Sequence, residues 1–272
     1  MLEQIKLFLL ALQFFTRIPV KGRLNGWVGY SPERLAQSTR YFPLVGGLVA
    51  VLIAVVYAPC ALFLPQSLAV LIALAFGVWI TGAFHEDGWI DFCDAFGGQH
   101  DRARTLSILQ DSRIGSYGAI AIVLLMGLKI EALAALDPSW VGVSLLAGHT
   151  WSRLCAVLVM RSLPYAKPDD ESKAKPIAVN LSWRDALIAL IFTLAICGVA
   201  VWLASSMRPF LYGGAASLLG MLYLRRLMKQ RLQGYTGDGL GAVQQVAEVL
   251  FYVAMVAALG AENVEVTVDP SS

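Results

Sequence analysis

Residues 41–64 read YFPLVGGLVAVLIAVVYAPCALFL, and after Pro65 the chain resumes with QSLAVLIALAFGVWITGAF, residues 66–84. Neither run contains an Asp, Glu, Lys or Arg. Crossing a bilayer as a helix takes roughly 20 mostly apolar residues. Each run supplies about that length, without the alternation of a strand. Lipid tolerates only helices or closed barrels, because every backbone polar group must be satisfied within the protein. These runs therefore predict two spanning helices joined by a turn at Pro65.

The same scan along the rest of the chain finds five further runs, at about 116–136, 140–162, 184–205, 208–225 and 243–262. Only Ser205, Ser206, Met207 and Arg208 separate the fifth run from the sixth, which predicts a tight helical hairpin. Composition agrees: hydrophobic residues make up 57% of the chain, charged residues 15%, and mean hydropathy is +0.65. A soluble domain usually carries about a quarter charged residues. The formal net charge of +2 excludes a polybasic nucleic-acid binder. The expected fold is an all-α polytopic membrane bundle of about seven transmembrane helices, forming one domain over 1–272. Residues 2–16 read as a retained helix that lies at the interface or re-enters it. Their apolar core is too short to span, and no small-residue cleavage site follows. The four scattered cysteines form no C-x-x-C pair and predict no disulfide.

Alternating seven spans places residues 17–40, 85–115, 163–183 and 226–242, with their span-edge residues, on one side. That side carries seventeen of the twenty-one Lys and Arg residues, against Arg208 alone on the other. The positive-inside rule makes the first side cytoplasmic and puts the acidic C-terminus (Glu262, Glu265, Asp269) outside.

The polar chemistry concentrates on that cytoplasmic side, in loops 85–118 and 226–242. The first reads HEDGWIDFCDAFGGQHDRARTLSILQDSRIGSYG. At about 100° per residue, Asp87, Asp91 and Asp94 fall within a stripe of about 60°. Clustered carboxylates repel one another unless a cation joins them, and hard oxygen ligands select magnesium (Mg2+) or manganese, with substrate phosphates completing the shell. The alternative is a solvated stretch balanced by Arg102, Arg104 and Arg113. Downstream, Asp111 and Arg113 precede the third span, where a guanidinium beside an acidic metal site suits a diphosphate. His85 and His100 are as readily ordinary loop residues as ligands. Within the spans, Lys129, Glu131 and Arg153 are expensive in hydrocarbon and are functional candidates for that reason. His149 shares a face with Arg153 at i, i+4, and the alternative role for Lys129 is an internal ion pair. The second loop leads into GYTGDGLGAVQQVAE, residues 234–248. Its four glycines around Thr236 and Asp238 predict a flexible, phosphate-accessible loop. Asp238 reads as a further ligand or base.

These blocks together resemble the cobalamin synthase family, the membrane-bound adenosylcobinamide-GDP ribazoletransferases. The resemblance rests on FFTRIPV (14–20), YFPLVGG (41–47), TGAFHEDGWIDFCDAFGG (81–98), ILQDSRIGSYG (108–118), HTWSR (149–153), PYAK (164–167) and GYTGDGLGA (234–242), in the family's order over about 230 residues. Glu86 and Trp89 stand where many members are apolar, and Ala95 where a Gly is common. The resemblance implies an enzyme of the bacterial inner membrane with its active site facing the cytoplasm. In the implied reaction, a ribose hydroxyl of α-ribazole or its 5′-phosphate attacks the cobinamide-linked phosphorus of adenosylcobinamide-GDP with magnesium, and GMP leaves. It also implies catalytic roles for Asp87, Asp91, Asp94, Asp111 and Asp238. His85, Arg113, Lys129, His149, Arg153 and Thr236 are candidates for binding substrate, and Asp87, Asp91 and Asp94 for holding the metal. The partners are the two substrates and the lipid bilayer, with no nucleic acid; a homo-oligomer is left open.

Two other classes compete. CDP-alcohol phosphatidyltransferases also cluster aspartates on membrane helices, but Ala95 replaces the Gly of their D-x-x-D-G pattern and no Ala-Arg follows at the right distance. Against a transporter, the acids sit at the membrane edge, and no Pro-broken pair of spans marks a midplane site.

Overall fold

The computed structural model describes residues 2–98, 101–166 and 181–268, with side chains to residue 261. His100 and Asp269, and the cytoplasm-assigned Lys167, Lys173 and Lys175, lie outside the described residues. The described chain is helical, with one isolated bridge between Tyr165 and Tyr235.

Helix α1 (Leu2–Phe15) buries Leu7, Leu10, Ala11 and Phe15, the i, i+3, i+4 stripe of an amphipathic helix. It packs on α2 (Arg23–Val28), α3 (Pro32–Ser38) and α4 (Phe42–Phe63). It is thus the N-terminal helix expected at 2–16. Pro65 separates α4 from α5 (Gln66–Thr81), and these two helices pack together.

The second run departs from expectation. Gly82 (φ +72°) and Ala83 (φ +58°) are both left-handed, a conformation costing a non-glycine residue roughly 1–2 kcal/mol. The chain turns by 88° there into α6 (Phe84–Gly97). The sequence accounts for the break, since HEDGWIDFCD is too polar to continue along a span. Residues 85–118 are then largely helical rather than a loop, as α6, α7 (Arg102–Ile108) and the start of α8 (Ser116–Ala134).

Next come α9 (Pro138–Ser162), α10 (Trp183–Ala204), α11 (Arg208–Leu232) and α12 (Gly237–Val268). Among the described residues, five helices are long and apolar enough to cross a membrane, and a sixth span arises if bent α5–α6 counts as one. The expected span at 208–225 is helical, but α11 runs on through Arg225, Arg226, Lys229 and Arg231 and is not apolar enough to join them.

α9 is the central helix, 83% buried over its most apolar window, whereas α10 is only 22% buried. The expected α10–α11 hairpin is not a packed pair. α10 lies on α9 and α4, α11 lies on α12, and an apolar cleft lined by Leu194, Gly198, Leu211 and Gly214 lies between them. Small residues decide this. Gly213, Ser217 and Gly220 face α12, and Ser217 Oγ donates to Ala247 O at 2.7 Å. Helices associate in lipid by such close contact, because a short turn constrains only their ends.

Candidate active site

Three connections assemble the polar end of the bundle. Arg102 of α7 donates to Leu232 O (3.0 Å) and Ala166 O (2.6 Å), binding α7 to the end of α11. Arg231 donates to Phe96 O (2.8 Å) and Gly98 O (2.7 Å), satisfying carbonyls at the end of α6. The Tyr165–Tyr235 bridge adds Ala166 N to Tyr235 O (2.9 Å) and Tyr235 N to Pro164 O (2.8 Å). Arg102 and Arg231, two of the cations counted toward the charge bias, therefore staple these segments together.

Within this framework, α6 crosses the start of α12 at Gly88 and Gly241. A Cβ on Gly88 would stand 2.9 Å from Asp238 O and 3.2 Å from Gly241 Cα, so only glycine permits the approach. The crossing brings α6, the helix that carries these carboxylates, against the backbone at Asp238, a residue about 150 positions further along the chain. Asp87 is exposed, and Asp91 is half-buried one turn away.

Asp94 has another task. Its Oδ2 accepts from Gly115 N (2.7 Å) and its Oδ1 from Gly118 N (2.8 Å), satisfying amides at the start of α8. A carboxylate there also faces the positive end of the helix dipole. Within the expected three-carboxylate ligand set of Asp87, Asp91 and Asp94, each Asp94 oxygen therefore already carries one amide hydrogen bond. Among the described residues, no three His, Cys, Asp or Glu side chains converge to cage a cation. Magnesium commonly needs only one or two protein carboxylates plus substrate phosphates, and Asp87 with Asp91 fits that smaller demand.

Arg113 and Asp111 pair with each other. Nη2 meets Oδ2 at 2.6 Å and Nε meets Oδ1 at 2.9 Å, with the Arg113 side chain 87% exposed. The guanidinium holds the Asp111 carboxyl down to about 2, through its side-chain bonds first and its backbone bond next. Arg113 lies two residues before Gly115, whose N–H donates to Asp94.

The GYTGDGLGA segment is not the expected flexible loop. Helix α11 extends to Leu232 and α12 begins at Gly237, so only residues 233–236 of 226–242 are non-helical. Thr236 is fully buried, and its Oγ1 accepts from Gly239 N at 3.1 Å, a helix N-cap. Low helix propensity made these glycines read as a loop. Their task is close packing, with Gly239 against Met228 and Gly241 against Gly88.

Inside the bundle, Lys129, His149 and Arg153 converge on one carboxylate, Glu248. Lys129 Nζ lies 3.0 Å from Glu248 Oε1, with His149 Nδ1 at 3.3 Å and Arg153 Nη1 at 3.8 Å from Oε2. Gln244 also donates to Glu248, Lys129 donates to Gln245 Oε1 (2.6 Å), and Gln245 donates to Glu86 Oε1 (2.8 Å). His85, buried on α6, lines the same polar cavity. This arrangement is the internal ion pair weighed for Lys129, extended into a network. Glu131 lies exposed on the opposite side of its helix. Sequence reasoning left Glu86, Gln244, Gln245 and Glu248 out of the candidate set. The spacing of Gln244 and Glu248 at i, i+4 within an apolar helix was the signal that could have found them.

The sequence model of the cobalamin-5-phosphate synthase family matches residues 7–256. A relative from Polaromonas sp. (strain JS666), named adenosylcobinamide-GDP ribazoletransferase, is 41% identical over 94% of this chain and 98% of its own. Relatives of the same name from Leptothrix cholodnii and Shewanella amazonensis are also 41% identical. They cover 94% and 93% of this chain, and 97% and 95% of their own. No solved structure matches. A match of this length, with the acidic motif, the start of α12 and the intramembrane cations all inside it, places the chain in the cobalamin-5-phosphate synthase family.

Proposed function

We propose that the protein joins adenosylcobinamide-GDP to α-ribazole, or to its 5′-phosphate, at the cytoplasmic face of a bacterial inner membrane. The observation that carries this reading is the Gly88–Gly241 crossing. It sets Asp238 beside a helix that bears Asp87 and Asp91 at the polar end of the bundle. In the reaction, a ribose hydroxyl oxygen bonds to the cobinamide-linked phosphorus. The bond from that phosphorus to the bridging oxygen breaks, GMP leaves with the oxygen, and an aspartate at this edge takes the hydroxyl proton.

Asp87 and Asp91 are the residues that would hold magnesium, which neutralises diphosphate charge and stabilises the leaving GMP. Arg113 stands at the Asp94 end of α6, its fork already shaped to a bidentate anion by Asp111. A diphosphate can replace Asp111 in that fork. Asp94 keeps the start of α8, and with it the Arg113 segment, fixed against α6. The Glu248 network joins α6, α8, α9 and α12 beneath the site, so the reacting groups rest on a rigid base.

The test is GMP release and cobalamin formation, measured in one reaction with and without magnesium. Asp87→Asn and Asp91→Asn should each remove most turnover while the protein still inserts. Normal activity in both variants, or release of CMP from a CDP-linked lipid instead, overturns the reading. The orientation is tested by reporter fusions: those after Ser116 or Gln233 should read cytoplasmic, and those after Ala204 or Glu262 periplasmic.

A further inference from the structure

Arg17 follows the end of α1 and belongs neither to the carboxylate helix nor to the Glu248 network. Three sets of contacts fix its backbone against the start of α6. Thr16 Oγ1 donates to Leu12 O (2.6 Å) and accepts from Ile18 N (3.2 Å), which shapes the turn out of α1. Arg17 N donates to Ile80 O at 2.7 Å, tying that turn to the end of α5. Phe14 and Phe15, just before it, meet Phe84 edge-to-face at 5.6 and 6.0 Å. Phe84 opens α6 and lies at i, i+3 to Asp87, so the two share one side of that helix.

The Arg17 side chain is seated as well. A Cβ on Gly82 would stand 2.8 Å from Arg17 Nε and 3.5 Å from Cζ and Nη2. Glycine at this position therefore does two things. It permits the left-handed turn between α5 and α6, and it leaves room for the guanidinium to lie over that turn. One residue on, Ala83 O accepts from Asp87 N at 2.9 Å, within the first turn of α6. The guanidinium thus stands at the end of α6 that bears Asp87. Arg17 is exposed, and among the described residues its guanidinium makes no hydrogen bond or ion pair. A guanidinium held in place with its donors unused is suited to a phosphate, which it grips bidentately.

Spacing along α6 identifies which phosphate. Ala83 and Asp94 are eleven residues apart, about 16 Å along a helix. Arg113 belongs to the far end, because it precedes the Gly115 amide that holds Asp94. Adjacent phosphates of one diphosphate cannot reach both arginines. From Ala83 to Asp87 the rise is only about 6 Å, comparable to the reach across one ribose from a ring hydroxyl to a 5′-phosphate. A phosphate at Arg17 then belongs to the molecule whose hydroxyl lies at Asp87.

We propose that Arg17 binds the 5′-phosphate of α-ribazole 5′-phosphate and so selects the phosphorylated nucleoside over α-ribazole itself. The proposal rests on the ribazoletransferase reading above and adds a residue and a substrate form to it. The carboxylates of α6 repel an incoming phosphate, and the Arg17 charge offsets that repulsion at their edge. Adenosylcobinamide-GDP keeps its diphosphate toward Arg113.

The experiment uses the full-length protein in phosphatidylcholine nanodiscs. Equilibrium binding of α-ribazole 5′-phosphate and of α-ribazole is measured directly, alongside KM for each and for adenosylcobinamide-GDP. The wild-type protein should bind the phosphorylated form about tenfold or more tightly. Arg17→Gln should raise its Kd and KM by about that factor and erase the preference. Values for α-ribazole and adenosylcobinamide-GDP should stay within about twofold. Arg17→Lys, which keeps the charge without the fork, should retain part of the preference. Equal affinity of the wild-type protein for the two forms, an unchanged preference in Arg17→Gln, or an equal rise for all three substrates would overturn the assignment. A rise confined to adenosylcobinamide-GDP would also overturn it and move Arg17 to the diphosphate. The comparison is repeated in nanodiscs containing phosphatidylglycerol. A defect seen only there, with the preference intact in phosphatidylcholine, would make Arg17 a lipid-headgroup anchor and refute the nucleotide site. A preference lost in Arg17→Gln, without any coupled GMP release by the wild-type protein, would keep the phosphate site and remove the proposed reaction.

Discussion

Replacing Glu248 with Gln preserves the side chain's size and removes the one charge on which Lys129, His149 and Arg153 converge. In the structure that carboxylate is buried, with the Lys129 ammonium at 3.0 Å and the Arg153 guanidinium at 3.8 Å. The variant leaves both cations in the bundle interior without their shared counter-ion. Removing one partner of a buried pair costs about 3–5 kcal/mol, because the remaining charge is uncompensated. At roughly 2–4 °C per kcal/mol for a chain of this size, the apparent Tm should fall by about 6–20 °C. The assay is thermal unfolding of purified protein in detergent, followed by intrinsic fluorescence and by the monodisperse fraction. A second substitution separates charge from packing. Lys129→Met in the Glu248→Gln background removes one stranded cation and should recover part of the loss, so the two changes should be strongly non-additive. An apparent Tm for Glu248→Gln indistinguishable from wild type, or a double variant as unstable as the sum of the singles, would refute the counter-ion role.

The remaining predictions concern the cytoplasmic edge. Asp94→Asn, which keeps only one acceptor oxygen for the Gly115 and Gly118 amides, should cost about 1.5–3 kcal/mol of stability. Its magnesium requirement should be unchanged at low temperature; a shifted magnesium dependence with an unchanged Tm would return Asp94 to the metal. Arg113→Lys keeps the charge but loses the fork, so kcat/KM should fall about tenfold, equivalent to ~1.4 kcal/mol; full kinetic efficiency would place Arg113 outside the site. The Asp111 carboxyl is held below its usual value of 3.8, so it stays ionised above that value and the pair is lost only as pH falls toward about 2. Titration from about pH 8 to about pH 5 should thus leave the Arg113 contribution unchanged, measured as a constant ratio of wild-type to Arg113→Lys rates. Asp238→Ala should abolish turnover or release GMP without joining α-ribazole, and coupled wild-type turnover would exclude this residue from the edge.

Much of the protein was legible in its sequence because lipid imposes a one-dimensional test. Length and apolarity locate a span without knowledge of its neighbours, so the predicted run at 41–64 matches Phe42–Phe63 and that at 116–136 matches Ser116–Ala134. The same logic singled out Lys129, His149 and Arg153, whose polarity is conspicuous in hydrocarbon. The stripe of Asp87, Asp91 and Asp94 was legible too, since α6 is helical throughout.

Only the tertiary structure decided what these residues meet. Glu248 lies three turns inside α12 and becomes a counter-ion through that helix's rotation against α8 and α9. Asp94 looked like its two neighbours because its partners are backbone amides, which sequence patterns do not display. Glycines predicted as a loop became a helix crossing because propensity is a local quantity, whereas close approach requires a second helix. The turn at Gly82 and Ala83 likewise came from a conflict between the continuation of α5 and the polarity of residues 85–94. Hydropathy along a chain selects its environment. Which faces then come together depends on side-chain shape and hydrogen bonding between segments far apart in sequence, and these exist only once the helices have packed.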